Sequence, residues 1–311
     1  MSAPIKLPRR RALIAAAGAP LLFVSRGATS GVRVKDARGN EIEIRDSSRI
    51  IVVGGSVTEV IYALGGEKNL VATDSTSLFP MAAQKTPKVG YMRTLSAEGV
   101  LSLRPSLVIT TTAAGPESAL RQIADAGVAV LVLGDDYSFD AVVAKIEGIG
   151  RALGLAKAAA DLARKVRADM ADVAARVAQS KTKPRALSFL TFGQAGAPQA
   201  AGRMTAADGI IRLAGGVNVF DAWMGYKPMT PEATVAAAPE VIMLGTQTIE
   251  AIGGVDKILA DPALALTPAA KNRRVASADA LLLLGFGPRT PEAVRIVARV
   301  FHPDVEFPAP R

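Results

Sequence analysis

The chain has no cysteine and a single histidine among its 311 residues. Without thiols there are no disulfides, no thiolate metal sites and no cysteine to carry a lipid, so the fold must rest on its apolar core and no lipid anchor is expected. The one histidine, His302, stands beside Pro303 near the C-terminus, remote in sequence from every candidate loop. A Ser-His-Asp or Cys-His set cannot be built from it, so a structural role is expected for His302 and an enzyme is not expected. Aromatic residues make up only 5% of the chain, with one tryptophan and four tyrosines, and no basic tract is interleaved with them. The net charge of +9 therefore does not read as a nucleic-acid surface. What is plentiful is apolar: hydrophobic residues make up 50% of the sequence, ample for a sizeable core.

The first 28 residues have the layout of an export signal. Arg9-Arg10-Arg11 is followed by the apolar run Ala12 to Val24 and by small residues from Ser25 to Ser30. The run is too short to span a bilayer. The paired arginines suit a twin-arginine signal, although the phenylalanine or lysine usual after them is missing, which leaves the two export routes open. Cleavage near Gly27 or Ala28 would remove five cations and no acid, taking the net charge from +9 to +4.

The remainder reads as an α/β protein. Val32 to Ile44 is a hairpin around Arg38-Gly39-Asn40, and Ile50–Val53, Leu70–Thr73, Leu107–Thr110 and Ala129–Leu133 are short apolar runs of buried-strand type. Helices are expected at Ala97–Leu103 and Glu117–Ala126. Another is expected after Ser56, with Glu59 completing a capping box and Gly65-Gly66 ending it. From Leu155 to Gln179 there is neither proline nor glycine, and apolar residues recur at helical spacing. About 25 residues at 1.5 Å each give a helix of roughly 37 Å, long enough to cross between two lobes. A second α/β set comes next, with strands at Ala186–Thr191, Val241–Leu244 and Arg274–Ser277 and helices near Thr205–Leu213, Val255–Ala260 and Pro291–Phe301. The expected architecture is two mostly parallel-sheet lobes, 29–154 and 181–311, joined by one helix at 155–180, with a ligand cleft between them.

The two sets look like copies. Thr58 to Gly66 parallels Ala207 to Gly215. Gly90-Tyr91, Glu98 and Pro105 parallel Gly225-Tyr226, Glu232 and Pro239. Such a repeat makes loops at the carboxyl ends of the strands face each other across the cleft. Val53-Gly54-Gly55-Ser56 lacks the spacing of either phosphate-binding glycine motif and reads as a tight turn.

Within the first set, Val89-Gly90-Tyr91-Met92-Arg93-Thr94-Leu95-Ser96-Ala97-Glu98 puts a rare tyrosine in a glycine-led loop just before a helix. A phenolate is a hard anionic oxygen donor suited to ferric iron and known as a haem ligand. A cation such as Arg93, two residues on, favours the ionised form of a neighbouring phenol. Together with Asp74-Ser75-Thr76-Ser77-Leu78-Phe79-Pro80 and the continuation to Pro105, this stretch closely resembles the periplasmic haem-binding proteins of bacterial haem ABC transporters, over roughly Val32 to Pro303. The resemblance implies a rigid two-lobed binding protein of the class that also serves vitamin B12 and ferric siderophores. It implies a periplasmic location, Tyr91 on the haem iron and Arg93 in contact with that tyrosine. Phe79 stands where some relatives have tyrosine, so no second phenolate is expected from that loop, and a second-lobe histidine ligand has no counterpart.

By the same resemblance Glu98 and Glu232, each at a helix start that the helix dipole alone would favour, would pair with arginines of the inner-membrane permease. An outer-membrane haem receptor system would stand upstream, and a monomer is expected. Arg203 and Lys227 are candidates for haem propionates. Tyr226 faces Tyr91 by the repeat, so the lobes would either close on one haem or hold two, with a weaker second haem on the Tyr226 side. A vitamin B12 or siderophore binder is the same-fold alternative. A haem-dependent enzyme such as a peroxidase would lack its distal acid-base group.

Overall fold

The computed structural model describes residues 31–193 and 198–308. The export segment expected at Met1–Ala28 lies outside the described residues. The chain enters as the antiparallel hairpin β1 (Val32–Lys35) and β2 (Glu41–Ile44), turning where Gly39 takes a positive φ. Beyond it lies a parallel four-stranded sheet, built from β3 (Ile50–Val52), β4 (Leu70–Thr73), β5 (Leu107–Thr111) and β6 (Ala129–Leu133) in the order β4-β3-β5-β6. β3 and β5 are buried along their whole length, as expected of strands covered by α1 (Gly55–Ala63) and α5 (Phe139–Ala152) on one face and by α3 (Ala97–Ser102) and α4 (Glu117–Asp125) on the other, while α2 (Met81–Gln84) is a single turn in the segment after β4.

The expected crossing helix is α6 (Ala156–Val177). Ala159, Ala163, Val166, Met170 and Val173 form its buried stripe, while Lys157–Asp161 and Lys165–Asp169 pair along its wet side. Helix α5 precedes it and packs against it. Gly150 allows that crossing, because a Cβ there would collide with Ala159.

The second lobe is a mixed six-stranded sheet. Strands β7 (Arg185–Thr191), β11 (Val241–Gly245) and β12 (Val275–Ala278) are parallel, with β9 (Val217–Asn218) on the flank of β7. β8 (Gln199–Ala201) and β10 (Tyr226–Pro228) extend the other edge antiparallel. Helices α7 (Ala206–Leu213) and α8 (Pro231–Ala237) and the C-terminal helix Thr290–Phe301 cover it. The repeat survives in backbone detail. Gly65 and Gly215 both take a positive φ, and in each lobe the next glycine's N–H returns to an isoleucine carbonyl of the preceding helix: Gly66 to Ile61, Gly216 to Ile211, both at 2.9 Å.

His302 is fully buried, its Nε2 2.8 Å from the Ala214 carbonyl, which bears out a structural role. The expected capping box at Ser56 does not form. The helix begins two residues earlier, behind Gly54, which contributes no side-chain cap, and both polar side chains reach long-range partners instead: Ser56 meets Lys145 and Glu59 meets Arg289.

Candidate functional site

The loops leaving β3, β4, β5 and β6 gather on one side of the first sheet, at the carboxyl ends of its parallel strands. Asp74, fully buried, ties two of them together. Its Oδ1 accepts from the Gly54 N–H at 2.9 Å and the Ser77 hydroxyl at 2.9 Å, and its Oδ2 from the Thr76 N–H at 3.0 Å and hydroxyl at 2.7 Å. Four donors on one carboxylate offset the cost of burying it.

This loop also fixes the tyrosine loop. The Ser75 N–H donates to the Gly90 carbonyl at 2.8 Å, Val89 donates to Thr73 at 2.9 Å, and Thr94 closes a turn on the Tyr91 carbonyl at 3.0 Å. Gly90 takes φ 96°, a conformation other residues rarely adopt, so the chain turns outward there and leaves Tyr91 45% exposed. Tyr91 and Arg93 lie on the wall of an open cavity of about 430 Å³, within the usual size of small-molecule sites, roughly 300–1,000 Å³.

The opposite wall comes from the second lobe: Leu190, Ala206, Tyr226 and the segment Ala280 to Gly285. Tyr226 sits on β10, paired with Ala201 of β8, rather than in an open loop. Burial pushes its phenol up to about 12, with Tyr137 nearby adding to the shift and the Arg93 guanidinium and the Thr205 hydroxyl opposing it. Tyr137, in the loop after β6, is a third phenol on the same cavity. Burial also raises it, aided by Asp135 and opposed by Arg93. Three of the four tyrosines thus line one cleft, and the charge of Arg93 acts on the two half-buried ones, Tyr137 and Tyr226. Sequence reasoning did not single out Tyr137. The available signal was its place in the loop at the carboxyl end of a parallel strand.

Arg203 and Lys227 stand apart from that wall. Lys227 neighbours Tyr226 on β10, so the two side chains leave opposite faces of the strand, and its Nζ lies 5.8 Å over the Trp223 ring. Trp223 in turn stacks on Phe220 at 4.6 Å. Arg203 bonds to the same corner through its backbone, donating to the Trp223 carbonyl at 2.8 Å and accepting from Gly225 at 2.9 Å, and its side chain is exposed. Glu98 and Glu232 are exposed residues in the first turns of α3 and α8. Each helix has a hydroxyl cap two residues earlier: Ser96 accepts from Gly99 at 3.2 Å and Thr230 from Ala233 at 3.3 Å. Hydrogen bonds from its own backbone N–H and the Thr230 hydroxyl hold the Glu232 carboxyl below its ordinary range.

The periplasmic binding protein family model matches residues 50–281. Among solved structures, the chain is similar to the periplasmic heme-binding protein BhuT in complex with two hemes, at 42% identity and a TM-score of 0.77, covering 82% of this chain and 98% of that one. The apo periplasmic heme-binding protein RhuT from Roseiflexus sp. RS-1 gives 39% identity and a TM-score of 0.77, with 83% and 99% covered. Curated relatives include the ABC transporter substrate-binding lipoprotein YvrC of Bacillus subtilis, 28% identical over 88% of this chain and 86% of its own length. They also include a vitamin B12-binding protein of Yersinia pestis, 26% identical over 65% and 71%. With two α/β lobes, one crossing helix and a tyrosine-lined cleft between them, the chain belongs to the periplasmic binding protein family.

Proposed function

We propose that this protein captures ferric haem in the cleft through the Tyr91 oxygen and delivers it to an ABC importer of the inner membrane. The observation that carries the reading is the shared cavity: an exposed phenol and an arginine on the first lobe face a phenol on the second across an apolar gap. A flat ferric macrocycle is suited by an anionic oxygen on its axis, apolar walls for its faces and a cation for its carboxylates. The likeness to heme-binding structures at 42% and 39% identity supports the same cargo.

Tyr91 is the primary ligand and Arg93 its companion. Tyr226 offers a weaker second site, because its phenol, pushed up to about 12 by burial, gives up its proton less readily than an ordinary one. Arg203 and Lys227 serve haem carboxylates only at the outer rim, where a second haem would emerge. Glu98 and Glu232 face the permease, one from each lobe.

Vitamin B12 is the second reading, supported by the B12-binding relatives. A corrinoid carries its own axial base and has no need of a phenolate. Titration of the purified protein with hemin and, separately, with cyanocobalamin under optical detection separates the two. Haem as cargo predicts saturable ferric-tyrosinate bands with hemin and no response to cyanocobalamin, and the reverse pattern rejects it.

A further inference from the structure

The floor of the cleft is a seam between the lobes, and two polar clasps cross it. In the first, the Arg289 fork at the start of the C-terminal helix takes the Glu59 carboxylate of α1 bidentately, with Nε to Oε1 and a terminal nitrogen to Oε2 both at 2.9 Å. The Glu59 side chain is only 6% exposed, and the Arg289 guanidinium lies 3.6 Å over the ring of Phe79, again a first-lobe residue. In the second, Lys145 on α5, 2% exposed, donates to the Ser56 hydroxyl at 3.0 Å, to Asp135 at 3.1 Å and across the seam to the Phe286 carbonyl at 3.2 Å. Ser56 and Asp135 are themselves on the cavity wall.

The lobes meet closely where these clasps lie, and glycines make that possible. A Cβ at Gly55 would come within 2.7 Å of Leu281 in the other lobe, one at Gly209 within 2.5 Å of the Tyr137 carbonyl, and one at Gly287 within 3.3 Å of Glu59. Tyr137 also meets the Phe286 ring edge-on at 5.6 Å.

A buried carboxylate or lysine left unpaired is costly, so separating Glu59 or Lys145 from its partners without water or a replacement is strongly opposed. From this we infer that Glu59, Arg289 and Lys145 are positioning residues for the cleft: they hold the gap between the Tyr91 and Tyr226 walls at a set width before any ligand enters, and opening for release runs through their separation. The bidentate pair is the gate of the two, because the Arg289 side chain is partly exposed whereas Lys145 is buried. The gap is set by the protein whatever the cargo is, so the distance in the ligand-free protein tests the inference apart from the haem reading, and only the hemin readouts rest on that reading.

The absence of cysteine allows a clean test. Nitroxide labels on Ser118→Cys in α4 and Ala251→Cys in the second lobe, both exposed positions, report the distance between lobes by double electron–electron resonance in the ligand-free protein. One narrow distance peak is expected with native clasps, unchanged by hemin. Glu59→Gln and Arg289→Met should broaden it toward longer distances. Hemin loss to excess apomyoglobin should then quicken by about tenfold, as one charge-assisted bidentate contact is worth. Arg289→Lys, which keeps the charge and loses the fork, should fall between. Narrow, native distances in all the folded variants would overturn the inference. If Glu59→Gln fails to fold, Arg289→Met and Arg289→Lys decide it by the same readout.

Discussion

The Gly90-Tyr91 and Gly225-Tyr226 segments occupy corresponding places in the two lobes, yet the tyrosines meet opposite environments. Tyr91 leaves its loop 45% exposed at the mouth of the cleft, while Tyr226 is held in a short strand and burial pushes it up to about 12. The difference traces to the two residues on the C-terminal side of each tyrosine. Met92-Arg93 continues a loop held by backbone bonds and by the Thr76 hydroxyl on the Met92 sulfur at 3.9 Å, whereas Lys227-Pro228 continues a strand that pairs with Ala200 and Gln199. One scaffold, copied, can thus leave one phenol exposed at the mouth of the cleft and hold the other half-buried in a strand.

The comparison holds best at the glutamates, and breaking both should have the largest effect. Glu98→Ala with Glu232→Ala is expected to abolish cargo uptake by cells that depend on this protein, while hemin titration of the purified double variant stays as in wild type. A parallel fall in binding would place these residues in the fold or the pocket. Next comes the support under the exposed tyrosine. Asp74→Ala strands the buried Gly54 N–H and frees the Thr76 and Ser77 donors, and should lower stability by on the order of 2–4 kcal/mol in urea unfolding. Smaller again is Arg93→Ala. Loss of the cation should raise the Tyr226 and Tyr137 phenols further, since Arg93 opposes both shifts. A pH titration of the phenols in the ligand-free protein reads both, and an unchanged titration would remove Arg93 from their surroundings.

The smallest effect is confined to alkali. Tyr226 titrates near 10 when unfolded and near 12 when folded, so as pH rises past about 10 the unfolded chain gives up its proton first. Stability should then fall between about pH 10 and about 12. Tyr226→Phe should flatten that part of the pH–stability curve, and an unchanged curve would mean the phenol is not enclosed as described.

Much of this architecture was legible. The strands of the parallel sheets are short apolar runs ended by glycine, proline or a hydroxyl residue, and α6 shows an unbroken helical stripe. Helix α5 escaped notice because Gly148 and Gly150 interrupt its pattern, and Gly150 is there for a contact with α6 that only the packed structure contains. Strands β8 and β10 are three residues each, too short to show a two-residue period, so the second sheet was expected to be mostly parallel without its antiparallel edge. At the site, Tyr91 and Arg93 stood out by rarity and by resemblance. The partners of Ser56, Glu59 and Lys145 did not, since they lie 89, 230 and 141 residues away and local capping rules describe only neighbours. Lys227 shows a further limit of spacing: its place next to Tyr226 is what turns it to the other face of the strand.

The most direct measurement is the visible spectrum during hemin titration of wild type beside Tyr91→Ala. Wild type should develop ferric-tyrosinate bands that saturate at one tight equivalent, with at most a weaker second. Tyr91→Ala should lose those bands and at least about a hundredfold in affinity, about 2.7 kcal/mol. Identical bands and affinity in the two proteins would contradict Tyr91 as the iron ligand.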